Sequence, residues 1–316
     1  MIISRAPLRV SITGGISDIP DYYNGSYGSV LSFAIDKYVY VILHESFDGR
    51  WKIRYSQREN CESIDEIRHP IIRECLKYVG IETPLEIVSL ADIPGRTGLG
   101  SSSTFTVALL SALYKYKGID AGKDKIAEDA CHIEIDVLGK PIGKQDQYAA
   151  AIGHLNQLKF KPDNIYQYEV HLSLYDAVEK HFVLFYVGTR SSGSHSILSG
   201  TKKNLEQLRP MIDELRNQAD DGYNYLMSGN VRKLGDVVKN SWAIKKHTGD
   251  VSNQKIDNLI SKGIELGAYS GKLLGEGSSG FLLFFVENDE ARQNLIEKMP
   301  LKHIEFKIDK EGVTCL

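Results

Sequence analysis

A segment rich in glycine and serine, residues 94–103, is the most informative part of the sequence. It reads Pro-Gly-Arg-Thr-Gly-Leu-Gly-Ser-Ser-Ser and precedes a largely apolar stretch, 104–117, that is typical of a buried helix. Glycines let a backbone approach a ligand closely, and the first turn of a helix offers free N–H groups at the positive end of its dipole. The segment therefore predicts an anion-binding site.

The same segment nearly matches the Walker A loop of nucleotide-binding proteins. Gly95 and Gly100 have the required spacing, but serine occupies both positions 101 and 102, where that loop needs Lys followed by Ser or Thr. The chain is therefore not a P-loop NTPase, and the missing cation must come from Mg²⁺ or from elsewhere in the fold. The alternative is an ordinary turn before a core helix, which does not need three glycines and three serines in ten residues.

Two carboxylates could take part in acid–base or metal chemistry. Glu134 lies 12 residues before Asp146, and Asp146 stands where a helix, 145–152, is predicted to begin. Asp146 could equally be an N-cap, and Glu134 could lie on a solvated helix face. In the N-terminal segment, Arg9 could serve an anion site and Asp18 could bind a polyol, although each taken alone is an ordinary surface charge.

A second glycine-rich segment, 275–280, matches G-x-G-x-x-G. A dinucleotide site needs a helix after this motif, but here an apolar strand, 281–286, follows it. We therefore exclude NAD binding. We expect a tight connection that packs against the first loop, with a turn that contacts no ligand as the alternative.

Composition excludes several other classes of protein. The net charge is −3, from 38 Lys and Arg against 41 Asp and Glu, which argues against a nucleic-acid-binding protein. The longest apolar runs, 38–43 and 281–286, are six residues long, too short to span a membrane, and the N-terminus has no secretion signal, so a cytoplasmic location is expected. The four cysteines show no C-x-x-C spacing and are predicted to be reduced. Without G-x-S-x-G or H-E-x-x-H, neither a serine hydrolase nor a zinc enzyme is supported.

The order of predicted elements indicates an α+β fold in two layers. Predicted strands cover residues 1–13, 38–45, 51–55, 85–90, 181–188, 281–286 and 303–308, with 51–55 expected beside 38–45. Predicted helices cover residues 64–79, 104–117, 123–138, 145–152, 205–227, 231–246, 253–266 and 290–299. A polar stretch, 159–168, precedes a new strand, so we predict two domains, 1–175 and 176–316.

Three segments together resemble the motifs of the GHMP small-molecule kinases, named for galactokinase, homoserine kinase, mevalonate kinase and phosphomevalonate kinase. Residues 6–9 and 14–20 are similar to the first motif, 94–102 match the second, P-x-x-x-G-L-G-S-S, in full, and 275–280 are similar to the third. Within this superfamily the chain is most similar to the bacterial D-glycero-D-manno-heptose 7-phosphate kinases, in segments 143–151, 241–246 and 272–275. It departs from that group at Ile16 and Ser17, where Gly-Thr is usual, and at Glu276 and Ser278-Ser279, in a run of small residues.

The resemblance implies a two-domain architecture, with an N-terminal α/β domain like one in a ribosomal protein and a ferredoxin-like C-terminal domain. ATP and Mg²⁺ would bind between them, the triphosphate on Pro94, Gly95, Gly98, Leu99, Gly100, Ser101, Ser102 and Ser103, and Mg²⁺ on Ser102 and Glu134. Asp146 would be the base or orient the attacking hydroxyl, beside Arg9, whose charge favours ionised groups. Sugar contacts would come from Gly15, Asp18, Lys144, Gln145 and Arg190.

The implied reaction is transfer of phosphate from ATP to the anomeric hydroxyl of the heptose 7-phosphate, giving the 1,7-bisphosphate used to make nucleotide-activated heptose for surface polysaccharide. Arg190, His195, Lys245 and Lys246 offer cations for the phosphate that the sugar already carries. The alternatives are a galactokinase- or fucokinase-like anomeric sugar kinase, a kinase of a non-sugar such as mevalonate, and a non-catalytic ATP-binding homologue. The expected partners are ATP and a small sugar phosphate, with no nucleic acid or membrane; a homodimer stays open.

Overall fold

A computed structural model describes residues 1–189, 204–249, 251–275, 277 and 279–316, and all structural statements concern these residues. Its strands are β1 Ile2–Thr13, β2 Gly28–Glu45, β3 Trp51–Arg54, β4 Arg58–Cys61, β5 Leu85–Ala91, β6 Leu155–Phe160, β7 Ile165–Glu169, β8 Phe182–Gly188, β9 Ser270–Leu273, β10 Gly280–Phe285, β11 Lys302–Ile304 and β12 Thr314–Cys315. Its α-helices are α1 Pro20–Tyr23, α2 Pro70–Val79, α3 Ser101–Tyr116, α4 Lys123–Cys131, α5 Gln145–Ile152, α6 Tyr175–His181, α7 Leu205–Met227, α8 Leu234–Lys245, α9 Gln254–Glu265 and α10 Asp289–Lys298. The predicted α+β class is confirmed.

The first sheet has eight strands and is organised around the long strand β2. One half of β2, residues 28–33, pairs with β6, and the other half, 39–45, pairs with β5. β1 runs antiparallel along both halves, so the sheet order is β12-β1-β2-β5-β3-β4, with the β6–β7 hairpin attached to β2. An 18-residue strand is about three times the usual length, which lets one strand carry two sets of neighbours.

Several strand predictions differ from the structure. β3 does not lie beside β2, because β5 occupies that position and β3 pairs with β5 and β4. β2 begins ten residues before the predicted start at 38, and β9, which contains Lys272, is not among the predicted strands. The polar stretch 159–168 forms most of the β6–β7 hairpin, whose second strand is largely exposed and therefore tolerates polar residues.

The helix predictions are close to the observed helices. α5 and α7 have the predicted bounds, and α3 begins three residues early, at Ser101. The predicted helix 123–138 is α4 continued by a π-helical turn, His132–Val137. α2 begins at Pro70 and not at the predicted residue 64, and the proline stands in its first turn, where the missing N–H costs no hydrogen bond.

The second sheet is antiparallel, in the order β11-β8-β10-β9, and β10 is buried along its whole length. The chain then returns to the first sheet, where β12 pairs with β1 and Ile308 bridges Ile35. The domain boundary at 175 and 176 stays a prediction. All four cysteines are free, as predicted. Among the described helices, none is both long and apolar enough to cross a membrane.

Candidate active site

The first glycine-rich loop leads directly into the N-terminus of α3. Gly98 and Gly100 have φ of 83° and 76°, in the left-handed region that glycine adopts without strain. Gly100 is the N-cap residue of α3, and within the described part of the chain no side chain caps that helix end. Among the described residues, no side-chain acceptor is seen for the backbone N–H groups at the start of α3, residues 101–103. Such a helix end is suited to bind an anion.

The second glycine-rich loop packs directly on the first. A Cβ atom at Gly98 would lie 2.6 Å from the carbonyl oxygen of Leu274, and one at Gly275 would lie 2.3 Å from Cα of Gly98. A Cβ at Gly280 would likewise lie 2.4 Å from the carbonyl oxygen of Thr97. The loops therefore meet backbone to backbone, as the sequence predicted. Glu276 and Ser278, two of the departures from the heptose kinase pattern, lie outside the described residues.

Arg9 and Asp146 form an ion pair across 137 residues of sequence. Arg9 Nε and Nη2 lie 2.9 Å and 2.6 Å from Asp146 Oδ1, and Arg9 Nη1 donates to the carbonyl oxygen of Gly98 at 2.8 Å. The pair is thereby tied to the glycine-rich loop. The N-cap of α5 is Lys144, so the alternative interpretation of Asp146 as an N-cap is wrong. The Asp146 side chain is 25% exposed and accessible from the adjoining cavities.

Glu134 is fully buried, which rules out the solvated helix face considered above. Lys140 Nζ lies 2.7 Å from its Oε1, Ser102 Oγ donates to the same oxygen at 3.3 Å, and Gln147 Nε2 donates to Oε2 at 2.8 Å. Lys140 Nζ also donates to Ser102 Oγ at 3.1 Å. A carboxylate and a hydroxyl thus share one cation at the start of α3.

Asp18 is buried against the N-terminus of α5. Its Oδ2 accepts a hydrogen bond from the Gln145 backbone N–H at 3.0 Å, and its Oδ1 accepts one from Gln145 Nε2 at 3.3 Å. Burial raises the pKa of the Asp18 carboxyl to about 6, and the Asp146 carboxylate acts in the same direction. A Cβ at Gly143 would lie 2.0 Å from Asp18 Oδ2, so only glycine leaves room for the carboxylate.

The turn before Asp18 contains the departure at position 16. Ile16 has φ of 80°, which is rare for a β-branched residue and costs on the order of 1–2 kcal/mol. The glycine usual in the heptose kinases would adopt this backbone without strain. The Ile16 side chain is nearly buried and lines the cavity next to Asp18. Isoleucine at position 16, in place of that glycine, therefore changes the wall of this cavity.

Lys272 joins the second sheet to the first at the base of this cavity. The residue is 4% exposed, and its Nζ donates to the carbonyl oxygens of Ile12 at 2.7 Å and Ser11 at 3.3 Å. Burial lowers the pKa of the Lys272 ammonium well below its ordinary value, and the positive charges of Lys245 and Arg9 add to the effect. Lys245 Nζ donates to the carbonyl oxygen of Gly275.

Two adjoining cavities meet at the Arg9–Asp146 pair. One is lined by residues of the first motif and of α8 and β9, among them Gly15, Asp18, Gln145, Lys245 and Lys272. The other follows the glycine-rich loop and contains Ser102, Glu134 and Lys140, with Tyr55, His69 and Phe105 on its walls. Arg9, Ile142, Asp146 and Gly275 line both. Asp146 therefore stands at the boundary between the two. The cavity that contains Asp18 and Lys272 is called the polar cavity below, and the one along the glycine-rich loop is called the cleft.

The predicted site residues do not all converge. Arg190 and His195 lie outside the described residues. Lys144 is absent from the residues that line the two cavities, and its ammonium lies 5.9 Å from the ring centre of Tyr23. Sequence reasoning missed Lys140 and did not assign Lys272 a role. The only sequence signal for Lys140 is its position between Glu134 and Asp146. The only signal for Lys272 is that it is a single lysine beside an apolar stretch.

Comparison with protein families identifies two domains in the chain. The model described as the GHMP kinases N terminal domain matches residues 68–154, and the model described as GHMP kinases C terminal matches residues 211–304. The first match contains the glycine-rich loop, Glu134 and Asp146, and the second contains α8, β9 and the second glycine-rich loop. The two matches together cover more than half of the chain.

Known proteins similar over the whole chain include sugar kinases. A D-glycero-alpha-D-manno-heptose 7-phosphate kinase of Campylobacter jejuni is 27% identical over 99% of this chain and 98% of its own. A galactokinase of Pyrococcus furiosus is 26% identical over 92% of this chain and 90% of its own. The crystal structure of a D-glycero-D-manno-heptose 1-phosphate kinase from Bacteroides thetaiotaomicron is similar with a TM-score of 0.82 at 23% identity, covering 100% of this chain and 99% of that one. The predicted two-domain architecture is thereby confirmed.

Proposed function

Because the chain belongs to the GHMP kinase family, we propose that it is an ATP-dependent kinase that phosphorylates the anomeric hydroxyl of D-glycero-D-manno-heptose 7-phosphate. The product would be the 1,7-bisphosphate. One observation supports this proposal above the others: a carboxylate, Asp146, stands between a cleft suited to a triphosphate and a polar cavity that contains three basic side chains.

The cleft along the glycine-rich loop fits ATP. Its backbone can approach phosphates closely, because Gly98 and Gly100 have no side chain and α3 points its uncapped N-terminus into the cleft. At the other end, Tyr55, His69 and Phe105 provide a partly aromatic wall for a purine base. Burial lowers the pKa of His69, which accepts the backbone N–H of Ile72 at Nδ1 and therefore carries its proton on Nε2.

Ser102 and Glu134 fit a magnesium ion. Mg²⁺ prefers oxygen ligands, and the Ser102 hydroxyl and the Glu134 carboxylate meet where a lysine ammonium already stands as a cation. Gln147 fixes the orientation of the carboxylate through its Oε2. Mg²⁺ bound there would neutralise charge on the transferred phosphate. Phosphoryl transfer depends mainly on such positioning and charge neutralisation, so few further catalytic groups are needed.

Asp146 is positioned to accept the proton of the attacking hydroxyl. Arg9 holds Oδ1 in place, and Oδ2 lies on the side of Gly100, at the mouth of the glycine-rich loop. An anomeric hydroxyl is more acidic than an ordinary alcohol, so a carboxylate with modest basicity is sufficient. Arg9 also neutralises the negative charge that Asp146 would otherwise present to the incoming phosphates.

The charges of the polar cavity favour a substrate that is itself an anion. Arg9, Lys245 and Lys272 contribute three basic side chains to a cavity that also contains two carboxylates, Asp18 and Asp146. Asp18 and Gln145 offer hydrogen-bond groups for sugar hydroxyls. A sugar phosphate would bring phosphate oxygens that accept hydrogen bonds from these basic side chains, and a neutral hexose lacks such oxygens. The relative from Campylobacter jejuni, named a heptose 7-phosphate kinase, supports the same choice.

The test is a coupled ADP-release assay on a panel of acceptors, with the product identified by phosphorus NMR. We expect turnover on heptose 7-phosphate, a new anomeric phosphate signal, and far lower activity on galactose, fucose and mevalonate. Equal activity on galactose or fucose, with none on heptose 7-phosphate, would replace the substrate but keep an anomeric sugar kinase. Binding of ATP without turnover on any acceptor would favour the non-catalytic homologue.

A further inference from the structure

Lys140 places its ammonium where the proposed magnesium ion would bind. Its Nζ lies 2.7 Å from Glu134 Oε1 and 3.1 Å from Ser102 Oγ, the two oxygens that fit the metal. The Glu134 side chain is fully buried and that of Lys140 is 27% exposed, so the lysine reaches in from the cleft surface. Lys140 also lines the same cleft as the glycine-rich loop.

We propose that Lys140 supplies the lysine that the glycine-rich loop lacks. Its ammonium pairs with Glu134, and it would turn to the phosphate oxygens of ATP when the triphosphate binds, which would leave the carboxylate to Mg²⁺. Lys140 is thus a nucleotide ligand and the cation that keeps the metal site occupied between turnovers. The inference rests on the proposed function, since it requires ATP and Mg²⁺ in this cleft.

The two cations cannot use the same oxygens at once. Mg²⁺ binds oxygen at about 2.0–2.1 Å, well inside the hydrogen-bond distance at which an ammonium sits, and the two positive charges repel each other. With Mg²⁺ on Ser102 and Glu134, the Lys140 ammonium would therefore have to bind elsewhere. The buried Glu134 carboxylate then keeps one counter-charge throughout, which avoids an uncompensated charge in the protein interior.

Lys140 can change its partner by movement of its side chain alone. The backbone around Lys140 is fixed, because its N–H donates to the carbonyl oxygen of Glu134 at 2.9 Å and its carbonyl oxygen accepts from Ile142 at 2.9 Å. The movement is therefore confined to the flexible four-carbon side chain, which suits a lysine that exchanges partners. Ser102, which Lys140 contacts, lies in the first turn of α3, whose N-terminus would face the phosphates.

Binding measurements separate this role from simple neutralisation of Glu134. The ligands are ATP in EDTA, measured by calorimetry, and Mn²⁺ alone, measured by electron paramagnetic resonance. We expect Lys140→Met to bind metal-free ATP about tenfold more weakly, the effect of one lost charged hydrogen bond. It should bind Mn²⁺ alone several-fold more tightly, because the competing ammonium is gone. Lys115→Met, which removes an exposed lysine from the same helix as Ser102, is the matched control and should change neither affinity.

A second pair of variants guards against misfolding, since Lys140→Met leaves Glu134 without its cation. Glu134→Gln alone should bind metal-free ATP at least as tightly as the wild type, and adding Lys140→Met to it should weaken that binding about tenfold. Equal affinity of the single and double variants would overturn the role of Lys140. If the wild type bound no ATP even with Mg²⁺, the proposed function would fail as well; binding of Mg²⁺–ATP that ignores Lys140 would refute only this inference.

Discussion

At the scale of single residues, the site depends on charges held in fixed pairs. Arg9 makes two contacts with one oxygen of Asp146 and a third with the carbonyl oxygen of Gly98, so it holds both Asp146 and the first glycine-rich loop in place. Asp18 has a different environment, because it is buried and bonded to Gln145. The two carboxylates of the polar cavity are therefore suited to different tasks.

Asp146→Asn tests the first task. The amide keeps the size of the carboxylate and can accept the hydrogen bond from Arg9, but it cannot take up the proton of a hydroxyl. We expect kcat to fall by a factor of about 10²–10⁴, the usual contribution of a general base, while the affinity for ATP does not fall. The measurements are kcat by ADP release and Kd for ATP by calorimetry. Unchanged turnover would show that Asp146 has no part in the chemistry.

Asp18→Asn tests the second carboxylate through the pH dependence of stability. The pKa of Asp18 is about 6 in the folded chain against an ordinary value of 3.8, so the folded state binds the proton more tightly. The stability gained from protonation is complete below pH 3.8 and is lost as pH rises through 6. The free energy of unfolding of Asp18→Asn minus that of the wild type should therefore be about 1 kcal/mol higher at pH 7.5 than at pH 5.

Urea titrations at the two pH values measure this difference. Asp120→Asn, which removes an exposed carboxylate, controls for the loss of one negative charge. A relative stability of Asp18→Asn that is the same at both pH values would mean that Asp18 is ionised throughout the range.

At the scale of elements, the site is built where α3 begins and the two glycine-rich loops meet. The apolar sequence of α3 buries the helix almost completely, which fixes the direction of its N-terminus. The left-handed residues Gly98 and Gly100 then turn the chain into that helix. Contact between the loops leaves no space for a side chain at Gly98.

Gly98→Ala should weaken nucleotide binding. A Cβ there would lie 2.6 Å from the carbonyl oxygen of Leu274, so the loops must separate, and the positive φ adds about 1 kcal/mol of strain. We expect the affinity for Mg²⁺–ATP to fall at least tenfold, together with a lower Tm. Calorimetry and a thermal melt measure the two effects.

Gly118→Ala is the matched control for this variant. Gly118 follows the other end of α3 with φ of 69°, but a Cβ there would meet nothing within 4 Å. It carries the same backbone strain without the loop contact, so its affinity for ATP should equal that of the wild type. If the two alanine variants bound ATP equally well, contact between the loops would not matter for the nucleotide.

At the scale of the whole molecule, the polar cavity lies between the two sheets. Lys272 in β9 reaches the carbonyl oxygens of Ser11 and Ile12 in β1, so one buried lysine links both sheets at the cavity wall. The C-terminal residues also return to the first sheet, where β12 pairs with β1 and Val313 donates to the carbonyl oxygen of Ala151. The first sheet is thus assembled from both ends of the chain.

Deletion of residues 308–316 should therefore destabilise the chain strongly. It removes the buried side chains of Ile308 and Val313, each contributing about 1.5–3 kcal/mol, and the β12 pairing. We expect the free energy of unfolding to fall by at least 3 kcal/mol in a denaturant titration followed by circular dichroism. Deletion of Leu316 alone, which is largely exposed, is the control and should cost little. A small effect of the longer deletion would support an independent segment 1–175.

The sequence by itself determined the local features of this protein. The glycine-rich loop, the buried helix after it, and the bounds of α5 and α7 follow from composition and periodicity over 10–20 neighbouring residues. The family resemblance rested on such local motifs too, and both family matches agree with it. The α+β class was predictable because the local pattern of apolar residues indicates whether each segment is a helix or a strand.

Only the tertiary structure decided which of these elements and side chains meet. β3 pairs with β5, Glu134 is buried, and Lys140 reaches Ser102 from 38 residues away. The type of a charged residue does not show whether its side chain is exposed or buried, because burial depends on partners that are distant in the sequence. The roles of Arg9, Asp146 and Lys140 become specific only when folding brings those distant partners within hydrogen-bond distance.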